Sequence, residues 1–172
     1  MSDLRVLVMM GSDSDLTVMA ESARILKKLE IDHEVVVTSA HRSPERTVKL
    51  IEQAPGRGVR VFIVGAGAAA HLAGVVSAHT TLPVLGVPLA SSDLNGLDAL
   101  LATVQMPAGI AVGCLAIGKA GAANAAWLAA SILSVSDERL TERLADERRE
   151  MAEKVVAKSA AAQTKLGEIL SS

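Results

Sequence analysis

Five short runs of nearly unbroken apolar character punctuate the chain: Arg5–Met10, Glu34–Thr38, Val59–Val64, Pro83–Val87 and Ile110–Ala116. They do not alternate apolar and polar residues. Continuous runs of this kind indicate strands covered on both faces, as in a parallel sheet. A loop and then a helix-like segment follow each run. In the first such segment Leu16, Met19, Ala20, Ala23, Leu26 and Leu29 recur at roughly the three-and-four interval of one buried face. The second opens at Ser43-Pro44-Glu45, with serine as N-cap, proline at the first helical position and an acid in the first turn. The alternation predicts an α/β fold: a three-layer, doubly wound parallel sheet of about five strands.

The tail from Ser136 to Leu170 differs in kind. Ser136-Asp137-Glu138 open a helix on which Leu140, Leu144, Met151, Val155, Ala162, Leu166 and Ile169 form roughly one stripe, with charges between them. A helix this long cannot lie wholly on a sheet of five short strands, so part of its stripe is expected to meet another subunit. The chain is read as one domain, 1–172, with an α/β core over 1–135 and a C-terminal helix over 136–172.

With 172 residues there is room for one domain with a real core. Half of the residues are hydrophobic, yet Phe62 and Trp127 are the only aromatics, so Ala, Val, Leu and Gly build the interior. A net charge of −2 leaves no electrostatic footprint for nucleic acid, and there are almost no aromatics to stack bases. Cys114 is the only cysteine, which excludes a disulfide framework and a thiolate metal cluster; within "AVGCLAI" it reads as a small core residue. "MSDLRVLVMM" reads as a first strand and not a signal peptide. The longest apolar stretch, Val59 to Ala78, is interrupted by Arg60 and His71 and is a poor membrane span. A soluble, cytoplasmic protein is expected.

In a doubly wound sheet, ligands sit beyond the carboxyl ends of the strands, near the point where strand order reverses. The loops there are "GSDSD" (11–15), "SAHRSPE" (39–45), "GAGAAAH" (65–71), "PLASSDLNG" (88–96) and "IGKAGAANAA" (117–126). The first supplies the Ser12 and Ser14 hydroxyls but no cation. The second supplies Arg42, a planar cation suited to phosphate oxygens. With the counter-charge in the second loop, the first is free to carry acids. Asp13 or Asp15 can accept hydrogen bonds from a ribose diol there, or both can serve as helix caps and first-turn acids. Beside Arg42, His41 is a general acid/base candidate. His71 either joins the site or anchors a helix start; His33 reads as a surface residue and His79 as a helix-end residue. The third loop lacks a dinucleotide fingerprint, but its small residues let a ligand approach the backbone, whose N–H groups can hold a carboxylate. No nucleophile elbow, Walker loop or zinc motif is present, and four scattered histidines make no metal site.

These residues resemble the N5-carboxyaminoimidazole ribonucleotide mutase family of purine biosynthesis. The likeness runs from "VLVMMGSDSD" through "VTSAHRSPE", "GAGAAAHLAG" and "LPVLGVPL" to "VQMPAGIAVGCLAIGKAGAANAAWLAASIL", about residues 6 to 133. It implies a flavodoxin- or Rossmann-like fold, a homo-octamer with sites near subunit boundaries, and no metal, ATP or biotin. It implies His41 as the acid/base, with Ser12, Asp15 and Arg42 binding substrate. Ser14 and Ser39 are added as phosphate contacts, the Gly67, Ala68 and Ala70 backbone as the surroundings of the migrating carboxylate, and His71 as a neighbour. The family's third loop usually has glycine where this chain has Ala68, a change that matters if the position needs positive φ; Ala73 replaces a proline. Two other readings keep the same pocket: direct carboxylation of aminoimidazole ribonucleotide by CO2, and a non-catalytic nucleotide-binding module.

Overall fold

The computed structural model describes residues 4–171. The apolar runs form β1 (Val6–Met10), β2 (His33–Val37), β3 (Val61–Gly67), β4 (Val84–Leu89) and β5 (Gly113–Cys114), paired in the order β2-β1-β3-β4-β5 and parallel throughout. Val6 aligns with His33 on one side and with Val61 on the other. Strand order therefore reverses at β1, and the crevice beyond β1 and β3 is the expected ligand position. The helices are α1 (Leu16–Lys28), α2 (Pro44–Gln53), α3 (Leu72–Ala78), α4 (Leu97–Val104), α5 (Lys119–Ser134) and α6 (Glu138–Ser171).

Helices cover both faces of the sheet, which is why the strand residues do not alternate. On one face Leu7, Met9, Phe62, Val64 and Val84 join Ile51 and Ala54 from the α2 side, Leu72 and Val76 of α3, and Ala99 of α4. Each large apolar side chain fully buried here contributes ~1.5–3 kcal/mol relative to exposure. On the other face Met19 of α1 packs where Gly65 has no side chain; a Cβ there would lie 2.4 Å from its Sδ. The buried Ser22 hydroxyl of α1 donates to the Ala122 carbonyl of α5 at 2.6 Å.

Two strand ends depart from the pattern reading. β3 continues through Gly65-Ala66-Gly67 and β4 through Pro88-Leu89, residues read above as loop. The strands go on because small side chains leave room for Met19 and Ser91 to close over β3. Conversely, only Gly113 and Cys114 of the fifth run pair with β4. Cys114 is accordingly half-buried on an edge strand instead of sitting in the core, and burial pushes its thiol pKa up. His33, read as a surface residue, is half-buried at the start of β2, its Nδ1 2.8 Å from the Ile31 carbonyl.

The chain divides after Leu133 into two compact units. In the second, the Asp137 carboxylate accepts the Leu140 N–H at 3.2 Å and starts the 34-residue α6. Leu140 is the one buried residue described on α6, whereas Met151, Val155, Leu166 and Ile169 are exposed. No described helix is long and apolar enough to cross a membrane.

Candidate active site

β1 stops at Gly11, and Ser12 takes an extended conformation that caps a single 3-10 turn, Asp13–Asp15, before α1. Ser12 Oγ accepts the Ser14 N–H at 3.3 Å, and the Asp15 carboxylate returns to accept the Ser12 N–H at 3.2 Å. This reciprocal capping box holds the loop with its own side chains. Asp13 is exposed but engaged, accepting from the Ser14 N–H and the Ser12 hydroxyl. Asp15 is only 9% exposed. Burial pushes its carboxyl pKa up, the Ser12 N–H draws it partly back, and the nearby Asp13 charge adds to the rise.

The second loop is built on serines. Ser43 stands at the N-cap position of α2 without capping it through its side chain. Its hydroxyl turns back to Ser39, accepting that residue's N–H and donating to its carbonyl, both at 3.1 Å. Ser39 Oγ accepts the Arg42 N–H at 3.1 Å. Beneath them the buried Thr38 and Thr47 hydroxyls meet at 2.8 Å. These bonds fix the backbone at Ala40–Arg42 and leave the His41 and Arg42 side chains exposed. Arg42 reaches across to the first loop, 3.4 Å from the Gly11 carbonyl.

The third loop turns sharply after β3. Ala68 has φ +49°, and two successive tight turns follow, Ala70 N–H to Ala68 O and His71 N–H to Ala69 O, each 2.8 Å. His71 stands at the head of α3 but does not cap it with its side chain. Its Nδ1 lies 2.9 Å from Nε2 of His41.

The four loops enclose a cavity of about 320 Å³. Its walls are Ser12, Ser14 and Asp15 from the first loop, Ser39, His41 and Arg42 from the second, Gly67 and Ala69 from the third, and Ser91 from the fourth. Ala68 and Ala70 do not line it; the Ala70 side chain is fully buried in the core beneath. His71 is joined to the cavity through His41. Ser91 escaped the sequence reading, since nothing distinguishes one serine of "ASSD" from another until Gly67 is seen to make room for it. A larger cleft, about 960 Å³, lies off the amino ends of β4 and β5 and includes His79 and Glu52. It is remote from the loops where charged and acid/base groups converge. Among the described residues no three His, Cys, Asp or Glu side chains are grouped as a metal site.

The cavity thus combines a cation, a buried carboxylate acceptor and a paired imidazole at the strand-order reversal of a doubly wound sheet. Residues 5–154 match the AIR carboxylase family. The chain belongs to that family. It is 51% identical over 152 residues to the N5-carboxyaminoimidazole ribonucleotide mutase of Escherichia coli, a match covering 88% of this chain and 90% of that protein. The mutase of Bacillus subtilis is also 51% identical over 152 residues, covering 88% and 93%. That of Pyrococcus abyssi is 51% identical over 147 residues, covering 86% and 83%. Among solved structures, Treponema denticola PurE superposes with a TM-score of 0.81 at 27% identity, covering 90% of this chain and 96% of that one. The AIR carboxylase match ends within α6, so the helix beyond Lys154 is an extension outside it.

Proposed function

We propose that this protein is an N5-carboxyaminoimidazole ribonucleotide mutase of purine biosynthesis, an isomerase that moves a carboxylate from the exocyclic nitrogen to ring carbon C4. The observation that carries the reading is the exposed His41, paired with His71 and lining a pocket that also holds Arg42 and the buried Asp15. Arg42, with the hydroxyls of Ser12, Ser14 and Ser39, binds the phosphate. Asp15, backed by the Ser12 N–H, accepts from the ribose hydroxyls. The third-loop backbone from Gly67 flanks the migrating carboxylate.

His41 as imidazolium protonates the carbamate nitrogen while the N–C bond breaks, its electron pair staying on nitrogen and CO2 departing. The electron-rich C4 of the aminoimidazole attacks the retained CO2. Neutral His41 then removes the C4 proton and restores aromaticity. One N–C bond is exchanged for one C–C bond and the proton returns to His41, so the sequence balances without redox partner or ATP. Positioned acid/base groups typically contribute ~10²–10⁴-fold, and retention of CO2 beside C4 adds a proximity gain.

We further assign the working form as a cytoplasmic homo-octamer of a single mutase domain, with α6 packed on another subunit. Support comes from apolar side chains left open on α4 and α6, including Leu97, Leu101, Val155 and Ile169.

The test follows product absorbance when purified protein meets N5-carboxyaminoimidazole ribonucleotide without ATP or metal. Rapid conversion, lost in His41→Asn, is expected. Turnover only from aminoimidazole ribonucleotide and bicarbonate would instead indicate direct carboxylation. Binding without turnover in either assay would leave a nucleotide-binding module.

A further inference from the structure

β4 ends at Leu89 and the chain turns back at once, the Ser91 N–H donating to the Leu89 carbonyl at 3.1 Å. The turn carries the Ser91 side chain over the last residue of β3. It fits there because residue 67 has no side chain: a Cβ on Gly67 would fall 1.8 Å from Ser91 Oγ and 2.8 Å from Ser91 Cβ. The neighbouring residue braces the loop. Ser92 donates to the Asp98 carboxylate of α4 at 2.7 Å and accepts the Leu94 N–H at 3.2 Å. Ser91 is thus held in place by structure on either side of it.

The other hydroxyls of the cavity have partners within the protein. Ser12 donates to Asp13, Ser14 donates to Ser12, and Ser39 accepts from the Arg42 N–H. The Ser91 hydroxyl has no hydrogen-bond partner among the described residues, and it faces the cavity.

Topology decides which part of a ligand meets it. Arg42 follows β2, Asp15 follows β1, Gly67 ends β3 and Ser91 follows β4, and the order in the sheet is β2-β1-β3-β4. Three strand spacings of ~4.8 Å separate the cationic end from the Ser91 end. A nucleotide with its phosphate at Arg42 and its ribose at Asp15 lays its ring across β3 toward β4. The group carried on that ring then lies between Gly67 and Ser91. Resting on the function proposed above, we infer that the Ser91 hydroxyl donates a hydrogen bond to the migrating carboxylate, and that Gly67 is glycine to admit it. A hydroxyl donating to a carboxylate makes a charge-assisted bond, stronger than any it makes to neutral CO2. Ser91 therefore separates carboxylated nucleotides from the decarboxylated one.

The test is titration calorimetry of wild-type and Ser91→Ala protein with two probes, aminoimidazole ribonucleotide and its 4-carboxylated counterpart. Ser91→Ala is expected to weaken the carboxylated probe on the order of tenfold and to leave the other unchanged. Gly67→Ala should displace Ser91 and give the same selective loss, reduced in a Ser91→Gly background. Equal weakening of both probes would make Ser91 a shaper of the loop only, and weakening of neither would make it a bystander; either overturns the inference. Wild-type protein that bound neither probe would overturn the mutase reading itself, and with it this contact. Thermal melts run beside the titrations show that each variant is folded.

Discussion

His41 and His71 meet edge to face, with ring centroids 5.0 Å apart and planes at 87°, joined by the 2.9 Å Nε2–Nδ1 contact. One ring nitrogen donates there and the other accepts, so a single proton lies between them. The pair accommodates an imidazolium on either ring without losing the bond, whereas two imidazolium rings would break it.

His41→Asn is therefore expected to lower kcat by ~10²–10⁴-fold, with little change in melting temperature because both rings are exposed. His71→Asn should cost less, since the acid/base group itself survives. The double variant should be no slower than His41→Asn alone, the mark of residues acting as a unit. Single-turnover kinetics on the three variants checks this; additive losses would separate the two roles.

In the proposed mutase, Asp15 links substrate binding to pH. Burial raises its carboxyl pKa above the ordinary aspartate value, so the folded chain favours its proton more than the unfolded chain does. Its contribution to stability is then full below the unfolded aspartate value and is lost as pH rises through the higher folded value. The ionised carboxylate is the stronger acceptor for the proposed ribose diol, so substrate affinity should fall as pH drops through that same raised value. Asp15→Asn should raise KM on the order of tenfold and melt no lower than wild type at pH 7. Melts and KM measured from acid to neutral pH test both arms.

Ala68 carries a left-handed backbone, φ +49°, at the turn leading to His71. A side chain there costs ~1–2 kcal/mol, partly offset because glycine gains more freedom in the unfolded chain, ~0.4–1 kcal/mol. Ala68→Gly is expected to raise the melting temperature by about 1–3 °C. Calorimetry reads it directly, and an unchanged or lower melt would mean that the two tight turns stabilise the strained form fully.

On α4 the large residues point outward. Ala99 and Thr103 are buried, Thr103 close against Gly86, while Leu97, Leu101 and Val104 are each about half exposed. Leu101→Asp should leave the fold intact and reduce the sedimentation coefficient by breaking the proposed octamer. A variant that sediments like wild type would remove α4 from the subunit contacts.

Much of the sheet was legible because strands buried on both faces must be apolar at successive positions, as β1, β3 and β4 are. The fifth run misled because apolar residues also collect beside an edge strand, so seven residues suggested a strand where two pair. His41 and Arg42 stood out by side-chain chemistry. His71 was a candidate too, but its pairing with His41, thirty residues away, arises only through the β2-β1-β3 order, which local pattern does not encode. Ser91 was hidden for a related reason. Its position depends on an atom that Gly67 lacks, and a missing side chain leaves no signal at the residue that exploits it.

Apart from Leu133 near its end, the buried face of α5 is Gly121, Ala122, Ala125, Ala126, Ala129 and Ala130. Alanine has no rotamers to surrender on burial, and so none with which to absorb a disturbance. A displacement of this helix cannot be dissipated by side-chain adjustment along that face and must pass on as rigid-body motion. Its hydrogen bond from Ser22 hands such motion to α1, whose first turn adjoins Asp15. Stiffness thus runs from the alanine face of α5 through α1 to the Asp15 end of the pocket.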